Sequence, residues 1–130
     1  MSKHVLIIDD SLTETRVFKS VLETHGYQVS VACNGREGIE VAESCQPDII
    51  VMDVVMPLLN GFQATRELTR NAATAHIPII VCSSKSTRTD RLWALRQGAK
   101  EYLVKPVKAQ DLLNVISKQL AGVRRDDYSL

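Results

Sequence analysis

Two adjacent aspartates end the first apolar run of this 130-residue chain, which reads HVLIIDDS. Like charges held side by side repel each other, and strand formation does not require them. A third aspartate, Asp53, ends a later apolar run, and carboxylates crowded into one cleft need cations beside them. Oxygen ligands without histidine or cysteine suit Mg²⁺ better than zinc. Asp9 and Asp10 are therefore predicted to anchor Mg²⁺.

A hydroxyl group and an ammonium group follow two further apolar runs. Ser83 and Ser84 end the fourth run, and Lys105 ends the fifth and precedes Pro106. A carboxylate can attack phosphorus as a nucleophile, while a metal ion, a lysine and a hydroxyl offset charge on the phosphoryl oxygens. Asp53 is the predicted nucleophile, because it stands alone at the end of a central run. The combination predicts phosphoryl transfer to Asp53, assisted by Ser83 and Lys105.

Five short apolar runs, which alternate with five segments of helical spacing, have to position these groups. Unbroken apolar runs predict strands buried on both faces, and the alternation predicts βαβ crossovers. The predicted fold class is α/β, a doubly wound parallel sheet in which the second strand lies at an edge. Ligands of such sheets bind beyond the carboxyl ends of the strands, where the chemical groups stand. The predicted strands are 5–8, 27–32, 48–52, 77–82 and 101–104.

Capping residues and apolar spacing predict the helices. Ser11 is the predicted cap of the first helix, and Asn60 or Gly61 begins the third. The fourth helix is predicted from about 87 to 97, with Ser84 as a candidate cap. The predicted inward residues, helix by helix, are Phe18, Val21, Leu22 and His25; Ile39 and Ala42; Phe62, Thr65 and Leu68; Leu92, Leu95 and Ala99; and Leu112, Leu113, Ile116 and Leu120.

The composition predicts a single packed domain, since 45% of the residues are apolar. The chain has 16 basic and 15 acidic residues. This nearly balanced charge argues against binding to nucleic acid or to a membrane through bulk charge. No apolar run approaches the ~20 residues of a membrane span, so a cytoplasmic location is predicted. Cys33, Cys45 and Cys82 form no metal-binding or paired pattern and are predicted to be small buried hydrophobes.

Four stretches, IIDDS, VMDVVMP, IIVCSS and YLVKPV, together resemble the receiver domain of two-component response regulators, the CheY-like family. The resemblance extends from residue 3 to about 121. It implies a flavodoxin-like (βα)5 sheet with the strand order 2-1-3-4-5. It also implies a histidine kinase, CheA-like or similar, as the phosphodonor and Mg²⁺ as the cofactor. The chain would then catalyse only its own phosphorylation and dephosphorylation and would otherwise not be an enzyme.

The resemblance assigns a role to each group at the strand ends. Asp53 is the phosphoacceptor, and Lys105 and Ser83 assist at the phosphoryl group. Tyr102 takes the aromatic switch position, so it is expected to turn inward when Ser83 moves toward the phosphate. The bond between Lys105 and Pro106 is expected to be cis. The metal site comprises Asp9, Asp10, Asp53 and the backbone carbonyl of Val55.

Two finer stretches, NGFQATRELT and LWALRQGAKEYLVKPV, look like the PilH type, the small receivers of chemotaxis-like systems that control type IV pili and twitching motility. Three positions depart from the commoner pattern. Ser83 replaces a threonine, Val55 cannot orient an attacking water, and Lys85 is cationic. These positions tune dephosphorylation in the family, so the lifetime of the phosphorylated state stays open.

The predicted receiver domain spans residues 1–121, and residues 122–130 are predicted to be a flexible tail. Output is therefore expected through protein–protein contacts on the fourth helix, fifth strand and fifth helix, roughly 86–120, by a monomer or weak dimer. Competition for phosphate with another receiver of the same pathway is the alternative output. Trp93 is interpreted as core filling at the edge of the fourth helix, with a partner-binding role as the alternative. Two alternatives stay open. The first is a Mg-dependent aspartyl-phosphate phosphatase or phosphotransferase, although Val55 stands where such enzymes carry an acid, and the second is a phosphorylation-independent receiver-like scaffold.

Overall fold

A computed structural model describes residues 2–128 of the chain and the side chains of residues 2–121. The strands of this part are β1 His4–Ile8, β2 Gln28–Ala32, β3 Ile49–Asp53, β4 Ile79–Ser83 and β5 Glu101–Val104. They form one parallel sheet in the order 2-1-3-4-5, which confirms the predicted fold class and the edge position of β2. Because β1 lies between β2 and β3, the strand order reverses there, and a crevice opens at the carboxyl ends of β1 and β3.

Helices alternate with the strands throughout the described part of the chain. Ser11 caps the first helix, as the sequence predicted. Asn60, one of the two predicted starts, caps the third helix in a reciprocal capping box with Gln63. The fourth helix is capped by the Thr87 side chain, so the predicted cap at Ser84 is wrong. The helices are α1 Leu12–Thr24, α2 Gly35–Cys45, α3 Gly61–Arg70, α4 Arg88–Arg96 and α5 Ala109–Tyr128.

Three strands, β2, β3 and β4, begin later than the apolar pattern predicted, and local hydrogen bonding explains the delay at β4 and β2. Pro78 has no N–H group to donate to a neighbouring strand, so β4 begins only after it. The Tyr27 N–H donates to the carbonyl oxygen of Leu22 at 3.0 Å and thereby closes the end of α1, so β2 begins at Gln28. In both places a local hydrogen-bonding constraint overrides the hydrophobic run.

The core consists of two layers of side chains, one on each face of the sheet. Successive residues of a strand point to opposite faces, so unbroken apolar strands supply both layers. One layer packs under α2, α3 and α4, and the other packs under α1 and α5. Fully burying one such side chain stabilises the fold by about 1.5–3 kcal/mol. The predicted inward residues found buried are Phe18, Leu22, Ile39, Ala42, Thr65, Leu68, Ala99, Leu112, Leu113 and Ile116.

The outer face of α4 carries apolar residues that the sequence spacing assigned to the core. Within α4, which is described throughout, only Ala94 is buried. Leu92 and Leu95 are 49% and 41% exposed, and Trp93 is 47% exposed, so the inward positions predicted for the two leucines and the core-filling interpretation of Trp93 are wrong. The small side chains of Ala94 and Ala99 pack into the core, and the larger neighbours on α4 then project outward.

Three further predictions of burial are wrong. His25 is exposed at the end of α1, where its ring nitrogen Nδ1 contacts the Val21 carbonyl oxygen at 2.9 Å. Cys33 lies in the loop after the edge strand β2, and Cys45 ends α2 on its outer side, so both are exposed. Cys82 lies in β4 and is buried, as predicted. A residue at the end of a helix or next to an edge strand lacks packing neighbours on one side. The residue type alone does not reveal that position.

α5 continues to Tyr128, so no break in the helix marks the predicted domain boundary at 121. The side chains of residues 122–128, together with residues 1, 129 and 130, lie outside the described part of the chain. The flexibility of the tail 122–130 therefore stays a prediction. Among the described residues, no helix combines the length and the apolar character needed to cross a bilayer.

Candidate functional site

Three carboxylates meet at the carboxyl ends of the two central strands. Ile8 pairs with Met52 in the β1–β3 ladder, so the next residues, Asp9 and Asp53, lie side by side. One carboxylate oxygen each from Asp9, Asp10 and Asp53 lies within 4.8 Å of the other two. Asp9 and Asp53 are buried and Asp10 is exposed, so the cluster opens to solvent on the side of Asp10. The sequence predicted this convergence correctly.

The ammonium group of Lys105 lies against the acidic cluster. Its Nζ donates to Asp9 Oδ2 and Asp53 Oδ1, both at 3.2 Å, and to Glu14 Oε2 at 2.7 Å. The Lys105 N–H continues the β4–β5 pairing by donating to the Ser83 carbonyl oxygen at 2.8 Å, and the following bond to Pro106 is cis, as predicted. Lys105 is therefore held at its backbone by β4, and its side chain reaches the ends of β1 and β3.

The loop between β3 and α3 is kept tight by a close backbone approach. The Gly61 N–H donates to the Val54 carbonyl oxygen at 2.9 Å. A Cβ atom at Gly61 would collide with the carbonyl oxygen of Asp53 and would lie 2.8 Å from the Cα of Val54. Only glycine fits this approach without a shift of backbone. Val55, the predicted carbonyl ligand, lies in this loop two residues after the end of β3, with its side chain exposed.

Burial and the repulsion between carboxylates shift the pKa values of the ionisable groups in the cleft. Burial raises the pKa of Asp53, and the charge of Asp9 raises it further, while Lys105 opposes both effects. Burial also raises the pKa of Asp9, against the lowering effects of the Ser11 N–H and Lys105. Burial disfavours the charge on Lys105, but the hydrogen bond to Glu14 and the charges of Asp53 and Asp9 outweigh it and raise the pKa of the ammonium. The cleft therefore carries negative charge that a single lysine does not fully compensate.

Asp53→Asn is expected to raise the melting temperature at pH 7 in the absence of divalent cations. The folded-state pKa of Asp53 is raised above 3.8, so the native state binds this proton more tightly than the unfolded state does. Stability is therefore lost as the pH rises through the interval between 3.8 and the raised value, and the ionised carboxylate destabilises the fold above it. Asparagine removes that charge.

Thermal unfolding at pH 7 and at pH 5 measures this difference. We expect the gain in melting temperature to be smaller at pH 5, because wild-type Asp53 is then protonated to a greater extent. Glu40→Gln, at an exposed position of α2, serves as the control and should shift neither value. A lower melting temperature for Asp53→Asn at pH 7 would contradict the prediction.

A chain of hydrogen bonds leads from Ser83 to Tyr102. The Ser83 hydroxyl is buried and accepts the Lys85 N–H at 3.1 Å, while the Tyr102 hydroxyl donates to the Lys85 carbonyl oxygen at 2.6 Å. The Tyr102 ring is buried, and the Arg91 guanidinium lies 5.6 Å from its centroid. Tyr102 is thus already turned inward in the unmodified chain. The sequence-based expectation that it turns inward on phosphorylation therefore does not begin from an exposed ring.

Glu14 is the residue of the site that the sequence analysis missed. The stretch SLTE matches the capping-box pattern, in which the last residue returns to the N–H of the first. That pattern explains Glu14 as a helix-start residue and gives no reason to place it beside Lys105. Its position in the first turn of α1, four residues after Asp10, was the available signal.

Comparison with known proteins agrees with the fold and the acidic cleft. The response regulator receiver domain family matches residues 5–117, and the chain belongs to this family. Receiver domains are signalling proteins that histidine kinases phosphorylate and that interact with protein targets. The CheY-like resemblance is thereby confirmed.

Individual relatives resemble the chain over nearly its whole length. It is 50% identical to the protein PilH of Pseudomonas aeruginosa over 118 residues, which cover 91% of this chain and 98% of that protein. It is 35% identical to the chemotaxis protein CheY of Thermotoga maritima over 119 residues, 91% of this chain and 98% of that protein. The receiver domain of a sensor histidine kinase from Pseudomonas aeruginosa, solved with a magnesium ion coordinated in its active-site cleft, matches with a TM-score of 0.86 and 28% identity over 93% of this chain and 99% of that one.

Proposed function

We propose that this chain is a stand-alone response regulator that accepts a phosphoryl group on Asp53 from a histidine kinase. It would work in the cytoplasm, within a chemotaxis-like pathway that controls type IV pili and twitching motility. The observation that carries the proposal is the contact of Lys105 Nζ with Asp53 Oδ1 inside a cluster of three aspartates. The 50% identity to PilH over 98% of that protein supports the pathway and the single-domain organisation.

The transfer step follows from the groups around Asp53. A carboxylate oxygen of Asp53 attacks the phosphorus of a phosphohistidine, the new O–P bond forms, and the N–P bond breaks with its electron pair returning to the imidazole. Lys105 donates to one phosphoryl oxygen, and the Ser83 hydroxyl can turn from the Lys85 N–H to donate to another. These two donors stabilise the added negative charge.

The donor set of the cleft fits Mg²⁺. Three carboxylates offer oxygen atoms within 4.8 Å of one another, and no histidine or cysteine joins them in the described part of the chain. The solved relative with magnesium in its cleft supports the assignment. Asp9, Asp10, Asp53 and the backbone carbonyl of Val55 would hold the ion. When bound, Mg²⁺ supplies positive charge that offsets the carboxylates and the phosphoryl oxygens.

The proposed transfer is tested directly with a small phosphodonor. Incubation with acetyl phosphate and Mg²⁺ should add one phosphoryl group per chain, detected by intact mass spectrometry. An acyl phosphate is labile to base and to hydroxylamine, so the added mass should disappear on either treatment. A phosphoryl group that resists hydroxylamine would contradict acceptance by an aspartate.

The proposed output surface is the face formed by α4, β5 and α5, roughly residues 86–120. Leu92, Trp93 and Leu95 of α4 and Val104 of β5 leave part of this face apolar and exposed. Aromatic and aliphatic side chains of this kind are typical anchors of protein–protein contacts. The proposed partner is therefore a protein rather than nucleic acid or membrane lipid, bound by a monomer or weak dimer. Val55 has no acidic group for a phosphatase mechanism, which disfavours that alternative.

Beryllofluoride, which mimics the phosphoryl group on Asp53, is expected to change the amide NMR spectrum across this face. A charge-assisted hydrogen bond from Ser83 to the bound group is worth about 1.5–3 kcal/mol. Forming it draws the Ser83 hydroxyl, which also accepts the Lys85 N–H, toward the bound group, and this displaces Lys85, whose carbonyl is the partner of Tyr102. A difference of this size shifts a two-state equilibrium by about one to two orders of magnitude.

The Ser83→Ala variant is the control for this pathway. It should still bind beryllofluoride, with shifts near Asp9 and Asp53, but the shifts at Tyr102 and along α4 should be strongly reduced. If the wild-type chain showed shifts only in the loops around Asp9 and Asp53, the output face would be wrongly assigned.

A further inference from the structure

Glu14 stands at the edge of the cleft on the first turn of α1. A capping box would direct its carboxylate to the N–H of Ser11, but the Ser11 N–H donates instead to Asp9 Oδ1 at 2.9 Å. The Glu14 carboxylate is thereby released from the cap and accepts from Lys105 Nζ at 2.7 Å. This contact is shorter than the 3.2 Å contacts of Lys105 with Asp9 and Asp53. The fold thus joins α1 to the lysine of the acceptor site.

The donors of Lys105 are fully used in this arrangement. An ammonium group carries three N–H donors, and among the described residues Lys105 meets three carboxylate oxygens, from Asp9, Glu14 and Asp53. A phosphoryl oxygen on Asp53 therefore gains a bond from Lys105 only when one of these acceptors loses its own.

Of the two carboxylates that stay ionised when Asp53 is modified, Glu14 is more easily released than Asp9. Its side chain is 42% exposed, whereas those of Asp9 and Asp53 are 6% and 8% exposed. An exposed carboxylate regains water when its partner leaves, while a buried one is left unpaired. Glu14 and Lys105 also line a cleft of about 210 Å³ between α1 and the segment after β5, which gives the released carboxylate room to move.

We propose that Glu14 is a positioning residue that holds Lys105 in the unphosphorylated state and so weakens the capture of a phosphoryl group at Asp53. The inference rests on the proposed acceptance of phosphate by Asp53 and adds a regulatory contact to it. Two effects act in the same direction. Glu14 occupies one donor of Lys105, and its negative charge repels the incoming phosphoryl oxygens.

The test is the affinity for beryllofluoride at saturating Mg²⁺, measured by NMR titration of the wild-type chain and of Glu14→Gln. We expect Glu14→Gln to bind about two- to fivefold more tightly, the range for a partly exposed ion pair. Glu23→Gln is the matched control, because it makes the same charge change at an exposed position of α1. Nine residues of helix separate it from Glu14 by about 13 Å, beyond the screening length. Its affinity should equal that of the wild type.

A second variant separates the contact from the charge. Glu14→Asp keeps the charge but is one methylene shorter, so it cannot hold Lys105 in the same way, and we expect it to bind more tightly than the wild type. Affinity equal to the wild type in Glu14→Asp would overturn the role of the contact. Unchanged or weaker binding by Glu14→Gln, beside normal binding by the wild type, would overturn this inference alone. Failure of the wild-type chain to bind beryllofluoride would overturn the proposed function as well.

Discussion

Asp53→Asn is expected to abolish incorporation of a phosphoryl group from acetyl phosphate. An asparagine amide lacks the anionic oxygen that attacks phosphorus. Of the two buried carboxylates that Lys105 contacts among the described residues, Asp53 is the one on the strand that pairs with β4, which Ser83 ends. Asparagine has nearly the same shape as aspartate, and Lys105 retains Asp9 and Glu14 as partners, so the fold should remain intact. The expected result is complete loss of the added mass under conditions that label the wild type once.

The control for this experiment is Asp111→Asn, which makes the same chemical change at an exposed position near the start of α5. It should be labelled like the wild type. Circular dichroism should show the same secondary structure in all three chains. Labelling that persists in Asp53→Asn on Ser83 or Ser84 would mean that the nucleophile has been assigned to the wrong residue.

Asp10→Ala is expected to abolish Mg²⁺ binding and, with it, phosphorylation. Asp9 and Asp53 both accept hydrogen bonds from Lys105, whereas Asp10 is not among the contacts of Lys105 and opens to solvent. Asp10 is therefore the carboxylate most available to a cation. Because its side chain is exposed, truncation leaves neither a cavity nor a buried unpaired group.

Isothermal titration calorimetry with MgCl₂ measures the effect on binding. The wild type should bind with weak affinity, and Asp10→Ala should show no measurable heat in the same range. Glu40→Ala removes an exposed carboxylate from α2, away from the cleft, and should bind like the wild type. Equal Mg²⁺ affinity in Asp10→Ala and the wild type would refute the assignment of the metal site.

The amino-acid sequence alone determined the elements and the order of the chemical groups along them. Unbroken apolar runs identify strands buried on two faces, and local signals such as Ser11 and Asn60 identify helix starts, because both depend on neighbours in the chain. The alternation of strands and helices then brings the strand ends to one edge of the sheet. That is why Asp9, Asp53 and Lys105 could be expected together before their distances were known.

Only the tertiary structure decided which face of α4 is buried and where the long side chains end. α4 contacts the core through a small residue, Ala94, so its periodic apolar residues Leu92 and Leu95 point to solvent. Glu14 leaves its local cap for a lysine 91 positions away, and Tyr102 turns inward because the Lys85 carbonyl accepts its hydroxyl. These outcomes depend on competition between partners that are distant in the chain. The spacing of residues along the chain carries no information about that competition, so packing and charge in the folded protein decide it.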